Sequence, residues 1–307
     1  MKAWDAFWFH SIDLYNVSLM RMLISFVWIV MYILRILDFE IFFTHSGVLP
    51  PQLVRELIPT IMQSPMPFYF ENDLMSLGAH WLFIILLMGM AAGLFGRSLT
   101  WLVFILHVGF LQRNPGIVYG ADLFTTFWLL GLSFVNHNRY FSIWNLRKKK
   151  ISDNIQLPQK DSDWVSTIGV RLIQVQLCFV YAFTGIEKLK GDSWWDGTAL
   201  WKVVTMKDLL QGDYTFLYNF PLFIAVMTLG TLIFEVYFPA GVMSKTLRPY
   251  WLSVGVVFHL MTGIFMGIPF FALVMIMPYL LFLDSKSVRF FVHKHIAPRI
   301  IRPKASA

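Results

Sequence analysis

Charge is scarce in this sequence. Asp, Glu, Lys and Arg make up 14% of its 307 residues, against roughly a quarter in soluble domains. Cysteine is nearly absent. The single Cys178 excludes a disulfide framework and a cysteine metal site. It lies inside an apolar block and reads as a small packing residue. No Gly-rich phosphate loop, His-Glu metal motif or nucleophile elbow occurs, so no metal is expected. No internal repeat is evident. The first fifteen residues mix charged and apolar types without a small-residue cleavage pattern, so no cleavable leader is expected there.

What is present is apolar surface in long blocks. Hydrophobic residues reach 57% and the mean hydropathy is +0.61. The blocks predict eight spans, at 18–37, 78–95, 99–113, 121–135, 167–185, 220–238, 250–268 and 270–283. A crossing helix needs about 20 apolar residues. The blocks at 99–113, 121–135 and 270–283 are short, and full crossing or a re-entrant path is open for them. The expected fold is an all-α polytopic bundle in a lipid bilayer.

The net charge of +7 does not point to nucleic acid, because the basic residues cluster in short segments between apolar blocks. With the N-terminus in the cytoplasm, sixteen fall on the inner side. They include Lys2, Arg97, Arg139, the run Arg147 to Lys150, Lys160, Lys245, Arg248 and six from Lys286 to Lys304. Six fall outside: Arg55, Arg113, Lys188, Lys190, Lys202 and Lys207. That asymmetry predicts both termini inside; the membrane expected is a bacterial inner membrane. The chain divides into an interfacial amphipathic segment at 1–17 and a membrane domain at 18–283. A polar cytoplasmic linker lies at 139–165, and a basic tail at 284–307. The run Arg147 to Lys150 reads as a topology signal that sits against anionic headgroups.

Ionisable groups at or inside a span are costly and mark candidate sites. Arg113, Asn114, Asp122, Lys188, Trp194 and Trp195 fall at the outer ends of spans. A shared outward pocket would gather them. Against that, Trp194 and Trp195 suit an aromatic belt and Lys188 a snorkelling lysine. His259 lies mid-span, where packing and function are both open. Glu235 lies in the sixth span toward its inner end. There it must be protonated or paired, with Arg21, Arg35 and Lys245 as partners to test.

The segment QVQLCFVYAFTGIEKLKGDSWWDGTALW at 174–201 resembles the signature stretch of the HTTM (horizontally transferred transmembrane) family, which is related to vitamin K-dependent gamma-carboxylase. HSGVLP at 45–50, QRNPGIVYGAD at 112–122, FEVYFP at 234–239 and FHLMTGIFMGIPFFALVMI at 258–276 are similar to further family stretches, in order.

The resemblance places Lys188, in GIEKL at 185–189, on the carboxylase lysine that deprotonates a quinol. It implies a carboxylase-like enzyme using vitamin K hydroquinone or menaquinol. His259 would be a second catalytic residue, and Arg113, Asn114, Asp122, Glu235, Trp194 and Trp195 would bind substrate. Such a base must be neutral, which apolar burial favours. Two departures bear on this. Arg113-Asn114-Pro115 stands where the carboxylase has an Asn-His pair, and the chain ends about twenty-four residues past its last block, without a large lumenal portion. A second reading is a non-catalytic accessory with a peptide or protein partner, since HTTM relatives include a protein needed for maturation of a peptide toxin. A transporter is the third reading, and no repeat symmetry supports it.

Overall fold

The computed structural model describes residues 2–57, 72–143, 162–206, 210 and 212–296. Among the described residues, fourteen α-helices, short 3-10 turns and a π-helical turn at Val292–Ile296 account for the order, and no strand occurs. They are α1 (Lys2–Phe9), α2 (Tyr15–Arg35), α3 (Phe39–Phe43), α4 (Pro51–Leu57), α5 (Asp73–Ala91), α6 (Arg97–Arg113) and α7 (Gly120–Ser133). Then follow α8 (Trp164–Lys188), α9 (Asp192–Trp195), α10 (Ala199–Val204), α11 (Pro221–Met243), α12 (Arg248–Phe265), α13 (Pro269–Ile276) and α14 (Ser285–Phe291).

Each of the eight expected blocks is helical. Four are long and apolar enough to cross a membrane: Tyr15–Phe43, Asp73–Ala91, α8 and α11. The other four fall short in length or apolar density. α13 continues as a 3-10 stretch, Met277–Phe282, to complete a shorter apolar helix.

Boundaries shift for local reasons. The first long helix starts at Tyr15, three residues early, because α1 ends at Phe9 and the chain turns before it. α8 starts where Asp163 caps it, accepting from the Ser166 amide at 3.0 Å. Arg97 grips both carboxylate oxygens of Asp163 at 2.6 Å. Burial opposes the Asp163 charge, but the hydrogen bonds from Arg97 and Ser166 outweigh it and hold its pKa below the usual value. α11 runs five residues beyond the expected span, through Pro239. That proline has no N–H to offer the carbonyl of Glu235 four residues back. The 284–307 tail is partly folded: α14 docks on the start of α2, where Arg289 meets both oxygens of Asp13 at 2.8 and 2.9 Å. The run Arg147 to Lys150 and most of the linker lie outside the described residues.

The bundle turns a soluble protein inside out. Large apolar side chains such as Phe26, Ile85, Phe179, Leu222 and Ile264 are exposed along the long helices. Arg21, Ser25, His80, Thr100 and His107 are buried within. That distribution fits hydrocarbon outside and satisfied polar groups inside. Arg21 shows how a buried cation is satisfied. Its guanidinium donates to the carbonyls of Met90 at 2.8 Å and Phe141 at 2.7 Å. Gly93, with φ of +69°, lies so close that a Cβ there would meet Arg21 Nη1 at 2.5 Å. Only glycine lets this turn close over the guanidinium. Arg21 is therefore neither a partner of Glu235 nor a snorkelling residue.

Candidate functional site

α8 and α11 pack side by side, and their backbones come close at Gly185. A Cβ there would meet the Val236 amide nitrogen at 2.8 Å and the Glu235 carbonyl carbon at 3.1 Å. A small residue lets the two backbones touch. One turn past that contact, Lys188 Nζ reaches Glu235 Oε2 at 2.5 Å. The Lys188 side chain is 23% exposed and that of Glu235 6%. The partner of Glu235 is thus Lys188, not Arg21, Arg35 or Lys245. The expected depths conflict with this pairing because α11 starts well beyond the end of α8. The hairpin α9–α10 fills that step, with the Leu200 amide donating to Thr228 Oγ1 at 3.1 Å. Glu235 lies near the middle of its helix, and the end of α8 comes down to meet it.

Trp194 covers the pair, its ring centroid 5.3 Å from Lys188 Nζ. Trp195 does not join. Its indole is mostly exposed and donates to the Leu189 carbonyl at 2.8 Å. Glu187 is engaged by Lys190 at 2.6 Å in an exposed pair and leaves Lys188 to Glu235. In the same hairpin, hydrogen bonds from the Thr198 hydroxyl and amide hold the Asp196 carboxyl below its usual pKa.

Beneath the pair runs a buried polar chain that the sequence reading missed. Tyr181 hydroxyl lies 2.5 Å from the Tyr279 hydroxyl and also bonds His259 Nε2. Tyr181 stacks on Phe238 at 4.0 Å and meets Phe234 edge-on at 5.4 Å, and these two rings flank Glu235 in sequence. The Thr184 hydroxyl sits beside the carboxylate. The missed signal was present: Tyr181, Thr184, Gly185 and Lys188 are spaced i, i+3, i+4, i+7 and share one helix face. His259 Nδ1 has no partner among the described residues.

Arg113, Asn114 and Asp122 form a different assembly. Arg113 is buried and donates to the carbonyls of Phe43, Thr44 and Leu49 at 2.9 to 3.1 Å. Asn114 donates to the Phe42 carbonyl at 2.8 Å. Together they clamp the turn that follows α3. Asp122 pairs with Arg35 at 3.0 Å and accepts from the Tyr119 amide. None of these bonds reaches Lys188 or Glu235. Phe271 stands between the groups, 5.8 Å from His259 and 6.1 Å from Phe124. The expected single pocket is therefore two clusters. Polar side chains at helix ends are drawn to the free carbonyls there before any ligand.

What the first cluster can do is move a proton. A lysine amine and a carboxyl group share a hydrogen bond in a mostly apolar site, with three further titratable side chains behind it. Among the described residues no group of three His, Cys, Asp or Glu could hold a metal.

The family model for the HTTM domain matches residues 9–286, most of the chain. No curated protein and no solved structure matches it.

Proposed function

We propose an acid–base function for this chain, which belongs to the HTTM domain family: Lys188 takes a proton from an apolar, lipid-soluble acid at the membrane boundary. The observation that carries the reading is the 2.5 Å contact between Lys188 Nζ and Glu235 Oε2. Separated charges are costly to hold in a mostly apolar site, so the neutral form of the pair is favoured before a substrate arrives. The shared proton then sits on Glu235 Oε2, and Lys188 Nζ has a free lone pair. An acidic O–H of the substrate gives its proton to that nitrogen, and the new ammonium faces the substrate anion. Trp194 offers a face for a flat ring and keeps water from the amine. The His259–Tyr181–Tyr279 chain fixes the floor of the site.

A reduced quinone would supply both the ring and the acidic O–H. The half-buried amine beside an indole face, with exposed Phe179 and Phe183 on the same helix, fits such a molecule. Eight crossings with both ends in the cytoplasm of a bacterial cell would put Lys188 on the outer side, as the distribution of basic residues supports.

The same ion pair also favours a rival, in which Lys188 is a fixed structural cation in an accessory protein for a peptide partner. Competition labelling of the chain in lipid nanodiscs separates the two. An acylating probe at pH 7 is expected to modify Lys188 at least tenfold faster than exposed Lys202, and a quinone is expected in lipid extracts of the purified protein. Equal labelling of the two lysines would remove the base and favour the accessory.

A further inference from the structure

We infer a second site, remote from Lys188, that binds a phosphate group, with an anionic phospholipid as its occupant. A cavity of about 490 Å³ opens where the start of α2, the second turn of α8, the α11–α12 turn and the end of the 3-10 stretch converge. Arg171 lies seventeen residues before Lys188 on α8, so the two sites are roughly 25 Å apart along that helix. The polar lining includes Asp13, Asn16, Arg171, Gln174, Lys245 and Arg248.

The cations here are held but not neutralised. Arg171 donates Nε to the Phe7 carbonyl at 3.0 Å and Nη1 to Gln174 Oε1 at 2.7 Å. Arg248 donates Nε to the Val242 carbonyl at 2.7 Å and Nη1 to the Phe282 carbonyl at 3.1 Å. Among the described residues neither guanidinium, nor Lys245, has a carboxylate within ion-pair distance. Of the two acids of the cavity, one is neutralised elsewhere and the other caps α14. Asp13 holds Arg289 through both oxygens, and Asp284 accepts from the Ser287 amide and hydroxyl at 3.0 and 3.1 Å. Two preset guanidiniums with unused N–H donors and a nearby ammonium match the oxygens of a phosphate.

The setting selects a lipid as the source. Helix α1 borders the site, since Arg171 lies 4.6 Å over the Phe7 ring as well as on its carbonyl. Trp4 and Phe9 of that helix are exposed, as in a helix lying in the membrane interface. Exposed Met243, Leu247 and Tyr250 on the adjoining α11–α12 turn offer an apolar path for acyl chains. The cavity thus sits at headgroup depth, where basic side chains attract anionic lipid.

Thermal unfolding of the full-length chain in neutral detergent tests this, with short-chain phosphatidylglycerol, short-chain phosphatidylcholine or inorganic phosphate added. Phosphatidylglycerol is expected to protect at a concentration at least tenfold below phosphatidylcholine. The Lys245→Gln/Arg248→Gln double variant should need at least tenfold more. Lys245→Gln alone changes an exposed position, gives a folded comparison and should lie between. Protection by inorganic phosphate as strong as by phosphatidylglycerol would support the phosphate site and assign it a soluble occupant. Equal protection by the two lipids, or protection unchanged in both variants, would overturn the inference. Labelling of Lys188 is an independent readout, so either site can fail alone.

Discussion

At the scale of single residues, the Lys188–Glu235 pair separates structural from chemical roles. Removing one partner leaves a charge in an apolar place and is expected to cost about 3–5 kcal/mol, whereas replacing both with apolar residues of similar size restores packing. Lys188→Ala and Glu235→Leu are therefore each expected to lower the unfolding temperature. Lys188→Met/Glu235→Leu should fold near the wild-type stability yet fail to retain quinone. A double variant that binds quinone normally would show the pair to be scaffold only. Lys188 and Glu235 were visible in the sequence because charge in an apolar block is rare. Their pairing was not, because position along two helices of different length does not give relative depth. Tyr181 and Tyr279 went unnoticed because a tyrosine in an apolar run looks like packing until its hydroxyl finds a partner. Arg113, Asn114 and Asp122 carried the same signal as Lys188 and proved to hold turns and helix ends. Sequence shows that a polar group is costly, not whether backbone or ligand satisfies it.

At the scale of elements, the eight apolar blocks were readable because hydrocarbon demands unbroken apolar helix. Their ends were less so, since these depend on caps such as Asp163 and on the passage of α11 through Pro239. One connection between elements predicts a pH effect. His137, in the turn after α7, is buried and shares a 2.7 Å hydrogen bond with Thr100 on α6. Burial, with Arg21 and Arg97 nearby, pushes its pKa down to about 3, from an ordinary value of ~6.5. The folded chain keeps His137 neutral while the unfolded chain protonates it. Its contribution is therefore complete above pH ~6.5 and is lost progressively as pH falls toward 3. Between pH 6.5 and 5 the loss is on the order of 1–2 kcal/mol. Thermal melts of the wild type and His137→Asn should show a steeper acid destabilisation in the wild type. Parallel pH profiles would mean that His137 is not held neutral.

At the scale of the whole molecule, side-chain bonds sort the helix ends into two groups. In one group, Arg21 at the start of α2 binds carbonyls at the end of α5 and in the turn after α7. Asn16 there reaches the carbonyls of Leu280 and Leu283 at 2.8 and 2.9 Å, and Arg97 at the start of α6 holds Asp163 before α8. In the other group, Arg35 at the end of α2 holds Asp122 at the start of α7, and Arg113 at the end of α6 clamps the turn after α3. So α6 and α7 each begin in one group and end in the other, although they have only 17 and 14 residues. A shallow re-entrant hairpin would return both its ends to one face without reaching the far one. Polar clamps at both ends allow short helices to span, because the clamped turns satisfy backbone that would otherwise meet lipid. The expected outcome is that both helices cross with α2 and that the linker shares a side with the C-terminus. Reporter fusions near residues 155 and 300 should read cytoplasmic, and one near 205 external. An external reading at 155 with a cytoplasmic one at 300 would require an odd number of crossings between the linker and the C-terminal part. That would break the two-group arrangement, since the start of α2 could not then hold both the turn after α7, through Arg21, and the carbonyl of Leu283, through Asn16, on one side.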